Sequence, residues 1–183
     1  MDAEHHARAL LTALDVPETE STKNTPLRWV NALAELTAGL GVDPDRHLLV
    51  TFPPEGDDPG MIVVRHVPFI SLCEHHMLPF TGTATVGYLP APGARIVGLS
   101  KLARLVREYG ARPQVQERLG GQVVKAITDN LDTTGAACVI KAMHSCLTLR
   151  GACATGAEML TSHLVGTFRD VPTARAEFMS LSA

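Results

Sequence analysis

Residues 61–89 read MIVVRHVPFISLCEHHMLPFTGTATVGYL, two β-prone runs around a cluster of metal- and proton-handling side chains. MIVVRHV (61–67) and TATVGYL (83–89) are rich in β-branched residues and predict two strands. Between them CEHH (73–76) sets a thiol, a carboxylate and two imidazoles amid apolar residues. Cys73 and His76 have a spacing that can share one metal ion. The same letters also suit a buried thiol beside surface histidines, or a closed structural zinc knuckle.

Working outward, residues 3–14 predict an amphipathic helix, and Thr25-Pro26 opens a second, because proline suits the first helical turn. Leu27, Val30, Leu33, Ala34 and Leu40 follow its apolar period. Residues 51–60 (TFPPEGDDPG) form a loop rich in breakers. RIVGL after PAPG predicts a short strand, and Ser100 an N-cap for SKLARLVREYG. Leu102, Leu105, Val106 and Tyr109 line one face of that helix, Lys101, Arg104 and Glu108 another. Pro113 begins a longer helix to about Leu131, weakened by roughly 1 kcal/mol for each of Gly120 and Gly121. AACVIKAMHSCLTLRG (136–151) is strand-like throughout, EMLTSHLVGTF is a further strand, and TARAEFMSL a closing helix. Strands in pairs rather than strict βαβ alternation favour an α+β fold with an antiparallel sheet.

Composition narrows the function classes. The 183 residues are 45% hydrophobic and 19% charged, enough apolar surface for a core and too little charge for disorder. A net charge of −3 argues against a generic nucleic-acid binder, so an anionic ligand would need a local basic pocket. No apolar run reaches the ~18–20 residues of a membrane span, and the N-terminus is not signal-like. A cytoplasmic location follows as the expectation, with the four cysteines reduced and available for metal or catalysis.

If 144–150 is a strand, His144, Cys146, Thr148 and Arg150 share one face. A thiol is out of place on a solvated face, which makes Cys146 a candidate to join Cys73 and a histidine. Two thiolates and one imidazole would hold tetrahedral zinc with a fourth position for water. Spacing leaves His75 and His76 open as the ligand, and Cys138 or Cys153 could close a structural site. The N-terminus of the helix at 100 suits an anion, with Lys101, Arg104, Arg150 and Arg28 able to converge there. Glu117 is either a surface residue complementing a helix dipole, or a buried carboxylate accepting two N–H bonds from a guanine edge.

These segments together resemble the GTP cyclohydrolase I family, zinc enzymes of pteridine synthesis. The resemblance runs from about Thr25 to Leu181 through TPLR (25–28), SLCEHHMLPFTGTATVGYLP (71–90), GLSKLARLV (98–106), RPQVQERL (112–119), HSCLTLRG (144–151) and ARAEF (174–178). It implies Cys73, His76 and Cys146 as zinc ligands, with His75 and His144 as acid–base groups. Glu117, with Gln116 nearby, would hold guanine, Ser100 would lie by the ribose and phosphates, and Arg28, Lys101, Arg104 and Arg150 would bind the triphosphate. The implied fold is the tunnelling fold, an antiparallel sheet backed by two long helices, in pentameric rings stacked as a decamer with sites at subunit boundaries. A helical extension, 1–24, would precede a catalytic domain, 25–183. The implied reaction opens the guanine imidazole ring of GTP with zinc-activated water, releases formate and forms 7,8-dihydroneopterin triphosphate. Alternatives are an enzyme that stops at a ring-opened formamide or triaminopyrimidine, and a non-catalytic zinc-stabilised assembly protein. The last has no need of His75, His144 or an open zinc position. ACATGAEML (152–160) departs from the family pattern, bringing in Cys153 and Glu158, but touches none of the three ligands.

Overall fold

The computed structural model describes residues 2–56 and 58–183. Helix α1 (Ala3–Ala13) is capped by Asp2, whose carboxylate accepts from the Glu4 N–H at 3.0 Å. It packs on α2 (Thr25–Leu36), which carries Pro26 in its first turn. Helix α2 stops before Leu40, which is exposed and outside the expected apolar stripe. A 3-10 segment, Pro44–Leu49, leads to β1 (Thr51–Phe52) at the start of the expected loop; within that loop Asp57, like Met1 of the N-terminal extension, lies outside the described residues.

The central pair is longer than its β-branched runs suggested. Strand β2 (Ile62–Cys73) and β3 (Pro79–Pro90) pair from Ile62↔Tyr88 to Leu72↔Pro79, so CEHH is the turn of one long hairpin. A bulge between Val64 and Val67 leaves His66 at φ 54°, which re-aims the outer half of β2. Strand β4 (Ile96–Val97) pairs with β1 and leads into α3 (Leu99–Gly110). The helix begins two residues earlier than expected: Gly98 occupies the cap, and Ser100 lies inside the first turn. Strand β5 (Pro113–Gln114) replaces the expected helix start, pairing in parallel with Leu72 and Cys73. Helix α4 (Gln116–Asn130) follows, and β6 (Thr133–His144) runs antiparallel to β3.

The strand expected to continue to 151 ends at His144. Its last β3 partner is Phe80, the next would be Pro79, which has no N–H to give, and its other neighbour starts at Met159↔Ala142. With no ladder on either side the chain turns into α5 (Ser145–Thr148). His144, Cys146, Thr148 and Arg150 therefore do not share a strand face. The chain returns as β7 (Met159–Gly166), then α6 (Thr167–Asp170) and α7 (Pro172–Ser182).

The five-stranded sheet has the order β5-β2-β3-β6-β7, antiparallel except for the β2–β5 contact. Side-chain alternation splits its apolar residues between two layers. Ala136, Cys138 and Ile140 face α3 and α4 with Phe80, Val86 and Tyr88, while Ala137 and Val139 face Phe168 and Phe178 of α6 and α7. The glycine pair in α4 has a packing reason: a Cβ on Gly120 would come within 2.5 Å of the His163 ring on β7. What the pair loses in helix propensity lets the strand cross close to the helix.

Candidate active site

The hairpin geometry brings three donors together. Cys73 is the last residue of β2, His76 sits in the following turn, and Cys146 is on α5 just past the end of β6. Their ligand atoms all lie within 4.8 Å of one another, and no other such group of three occurs among the described residues. Cys73 Sγ is 3.9 Å from Cys146 Sγ and 3.9 Å from His76 Nδ1. That sulfur separation is far beyond a disulfide bond and close to the edge of about 3.8 Å that zinc–sulfur bonds of about 2.3 Å subtend in a tetrahedron. Burial and the neighbouring Cys73 sulfur push the Cys146 thiol up, partly offset by the Arg150 charge. Two thiolates this close repel, and a divalent cation between them removes that cost. The donor set thus fits zinc.

His75 Nδ1 also stands 3.9 Å from Cys73 Sγ, but the imidazole is exposed and lies outside the three-donor group. His144 ends β6 half-buried, its ring stacked on Phe80 with centroids 4.4 Å apart and planes 5° from parallel. Burial holds its pKa below the usual histidine value, against an opposing pull from the Glu117 carboxylate, which favours the neutral imidazole. Glu117 is exposed in the first turn of α4, close enough to His144 to act on its charge. Arg150 is exposed and acts likewise on Cys146.

Gln116 requires a correction. The expectation put it by the guanine, but it is fully buried, and its amide nitrogen donates to Ile140 O at 3.1 Å, Met159 O at 3.0 Å and Thr161 Oγ1 at 3.1 Å. Its oxygen faces His144 Nε2 at 2.9 Å. Neither polar atom of its side chain is left without a partner.

The structure does not bring Ser100, Lys101 and Arg104 to this end of the chain. Val97, just before α3, donates to the Tyr88 hydroxyl at 2.9 Å, at the far end of the hairpin from Cys73. Helix α3 then runs back until Gly110 packs on Phe69 and Ile70. Ten helical residues and three strand residues separate Ser100 from the metal group, on the order of 20 Å. Arg104 borders an open cleft of 440 Å³ with Arg46, His47, Arg107 and Glu108. Arg28 is exposed on α2, and no ion pair involves Arg28, Lys101, Arg104 or Arg150 among the described residues.

Sequence reasoning missed Glu74 and Arg118. They form an ion pair joining the CEHH turn to α4, beside a Glu74 N–H···Gln114 O bond of 3.0 Å and an Arg118 Nε–H···Gln114 Oε1 bond of 2.9 Å. The opposite charges at the two ends of that brace were legible, but nothing local showed that β5 would carry α4 alongside the turn.

An α+β fold that sets two thiols and an imidazole within reach of one metal ion, beside a half-buried histidine, suits a metal-dependent, acid–base enzyme. Comparison with known proteins makes this specific. The sequence model of the GTP cyclohydrolase I family matches residues 3–183, and the chain belongs to that family. It is 45% identical over 172 residues to GTP cyclohydrolase 1 of Dehalococcoides mccartyi (strain ATCC BAA-2266 / KCTC 15142 / 195), covering 94% of this chain and 90% of that one. The enzyme of the same name from Rhodopirellula baltica is 44% identical over 97% of this chain and 76% of its own, and that of Mycolicibacterium vanbaalenii 43% over 98% and 88%. Among solved structures, the archaeosine synthase QueF-Like in the apo form aligns with a TM-score of 0.48 at 16% identity, over 59% of this chain and 95% of that one, too weak a likeness to add to the assignment.

Proposed function

We propose that this chain hydrolytically opens the guanine imidazole ring of GTP, expels C8 as formate and rearranges the remainder to 7,8-dihydroneopterin triphosphate, an entry step to pteridine and folate synthesis. The observation that carries the proposal is the Cys73–His76–Cys146 group beside His144 and Glu117, in a chain 45% identical to a GTP cyclohydrolase 1 over most of its length. Neither a ring-opened product nor a non-catalytic role is favoured by that kinship.

Cys73, His76 and Cys146 would hold the zinc ion, and three protein ligands leave one position open. A zinc ion held there would supply a Lewis acid able to bring water towards ionisation at neutral pH. His144, neutral and half-buried, accepts and returns protons at the ring nitrogens as the imidazole ring opens, while exposed His75 exchanges protons with solvent. Glu117 accepts from guanine N1–H and the 2-amino group, which adenine cannot supply. Arg150 reaches the triphosphate from the metal end, and Arg28, Ser100, Lys101 and Arg104 reach it from elsewhere.

That last requirement supports a ring. The outer edge of β2 before Leu72 and the whole outer edge of β7 have no strand partner among the described residues, and Ile70 and Leu160 on them are 53% and 67% exposed. Edge-to-edge pairing of copies closes the sheet, hides both edges and carries one chain's α3 to another's metal group. The tunnelling fold, two stacked pentamers and the 1–24 and 25–183 division follow as part of this proposal, as does a cytoplasmic location. No helix among the described residues is long and apolar enough to cross a membrane.

The test is incubation of the zinc-loaded protein with GTP. The expected product is a pterin triphosphate that fluoresces after oxidation, with formate in equal amount; a formamide accumulating without formate would replace this reading with the arrested one.

A further inference from the structure

We propose that Gln116 is a positioning residue that fixes the tautomer of His144, with the proton on Nε2 and the lone pair on Nδ1. The inference rests on the reading of His144 as a proton-transfer group. A primary amide could be built either way round, but here the surroundings choose. Two carbonyl oxygens, Ile140 O and Met159 O, lie within 3.1 Å of one amide atom, with Thr161 Oγ1 at the same distance. Carbonyl oxygens only accept, so that atom is the NH₂ group, and the atom facing His144 Nε2 at 2.9 Å is an oxygen. An amide oxygen only accepts as well, so Nε2 must carry the hydrogen.

Phe80 completes the restraint. Stacking at 4.4 Å fixes the plane of the imidazole, and Gln116 fixes which edge faces inwards. The anchors of Gln116 are the main-chain carbonyls of Ile140 on β6 and Met159 on β7 and the Thr161 hydroxyl on β7, so the tautomer is set by groups that reach the ring only through the Gln116 amide. The basic nitrogen, Nδ1, is left for the reaction. This gives a function to a buried side chain whose polar atoms are all engaged inside the protein.

The experiment is nitrogen-15 NMR of histidine-labelled, zinc-loaded protein, with steady-state kinetics on GTP in parallel. In the native protein the His144 resonances should show a protonated Nε2 and a bare Nδ1. Gln116→Leu, close in volume, should give averaged nitrogen shifts and a kcat lower by roughly tenfold to a hundredfold, less than removal of the group itself, with KM within about twofold. Thr161→Val removes one of three anchors and should give a smaller change in the same direction, which keeps the test available if Gln116→Leu does not fold. A native spectrum with the proton on Nδ1, or a pure Nε2–H form persisting in Gln116→Leu, overturns the proposal. So does a raised KM at unchanged kcat, which would return Gln116 to guanine binding. Because the tautomer is read without substrate, native protein inert towards GTP would defeat the functional reading and not this one.

Discussion

The two ends of the β2–β3 hairpin differ in how complete they are. At the Cys73 end, strand register, β5 pairing, a buried glutamine and an aromatic stack assemble donors, imidazole and carboxylate within one chain. At the Tyr88 end, α3 opens with Ser100 and Lys101, whose side chains have no hydrogen-bond or ion-pair partner among the described residues; further along the helix, Arg104 borders a cleft whose one acid, Glu108, is already engaged by Arg46 and His47. Burial raises the Glu108 carboxyl, yet those two partners outweigh it and hold it below the usual value. One end groups candidate metal donors with an imidazole, whereas the helix that starts at the other presents its cations outwards. The lesson is that folding alone brings the candidate donors together, whereas the proposed function needs a neighbouring copy to bring the cations to them.

The sharpest way to break the first half of the comparison is Cys146→Ser. A neutral hydroxyl is a poor substitute for thiolate, so the variant should lose its zinc and with it essentially all turnover. Metal content per chain by elemental analysis, beside turnover, checks this; full zinc and full activity would mean the three-donor group is not the centre.

The second half is tested by complementation, with a smaller expected effect. A Lys101→Ala, Arg104→Ala double variant should keep its zinc and lose GTP affinity. Neither this variant nor Cys146→Ser is active alone, but mixed in equal amounts, unfolded together and reassembled, they should recover about a quarter of native activity if each site takes its metal from one chain and its cations from a neighbour in a symmetric ring. No recovery on mixing would place both halves of the site on one chain and remove the boundary model.

This division also explains what the sequence could reveal. Cys73 and His76 were legible because they are three residues apart, and Leu102, Leu105 and Val106 because a helix buries them at a period that composition displays. Cys146 was reached for a faulty reason: the residues after His144 are β-prone, and the strand face assumed for them disappears because both neighbouring strands run out. Propensity is local, whereas strand length is decided by the partner. The same holds at Pro113, where a helix-opening residue became a strand because Leu72 and Cys73 offered an edge. Gln116 was the least legible, since nothing near it in sequence marks Ile140 and Met159 as its anchors.

The smallest expected effect concerns the brace at the Cys73 end. Glu74 lies between a ligand and a histidine, and its pairing with Arg118 ties the CEHH turn to α4. Both side chains are substantially exposed, at 34% and 43%, so water screens much of the attraction. Glu74→Gln should therefore weaken zinc binding only a few-fold, measured by competition with a chelator at neutral pH, and Arg118→Ala by a similar factor. If the pair acts as one unit, the double variant should be no worse than either single one. The pH dependence has a definite sign. The hydrogen bond from Arg118, aided by the Arg118 and His75 charges and opposed by burial, holds the Glu74 carboxyl below its ordinary value of 4.5. A depressed folded-state pKa contributes stability that is complete above the ordinary value and disappears as pH falls through the depressed one. The stability difference between native and Glu74→Gln metal-free protein, followed by denaturant unfolding, should stay constant from neutral pH down to about 5 and shrink below that. A difference that shrinks instead between pH 7 and 6 would point to histidine protonation and take the brace out of the account of the metal end.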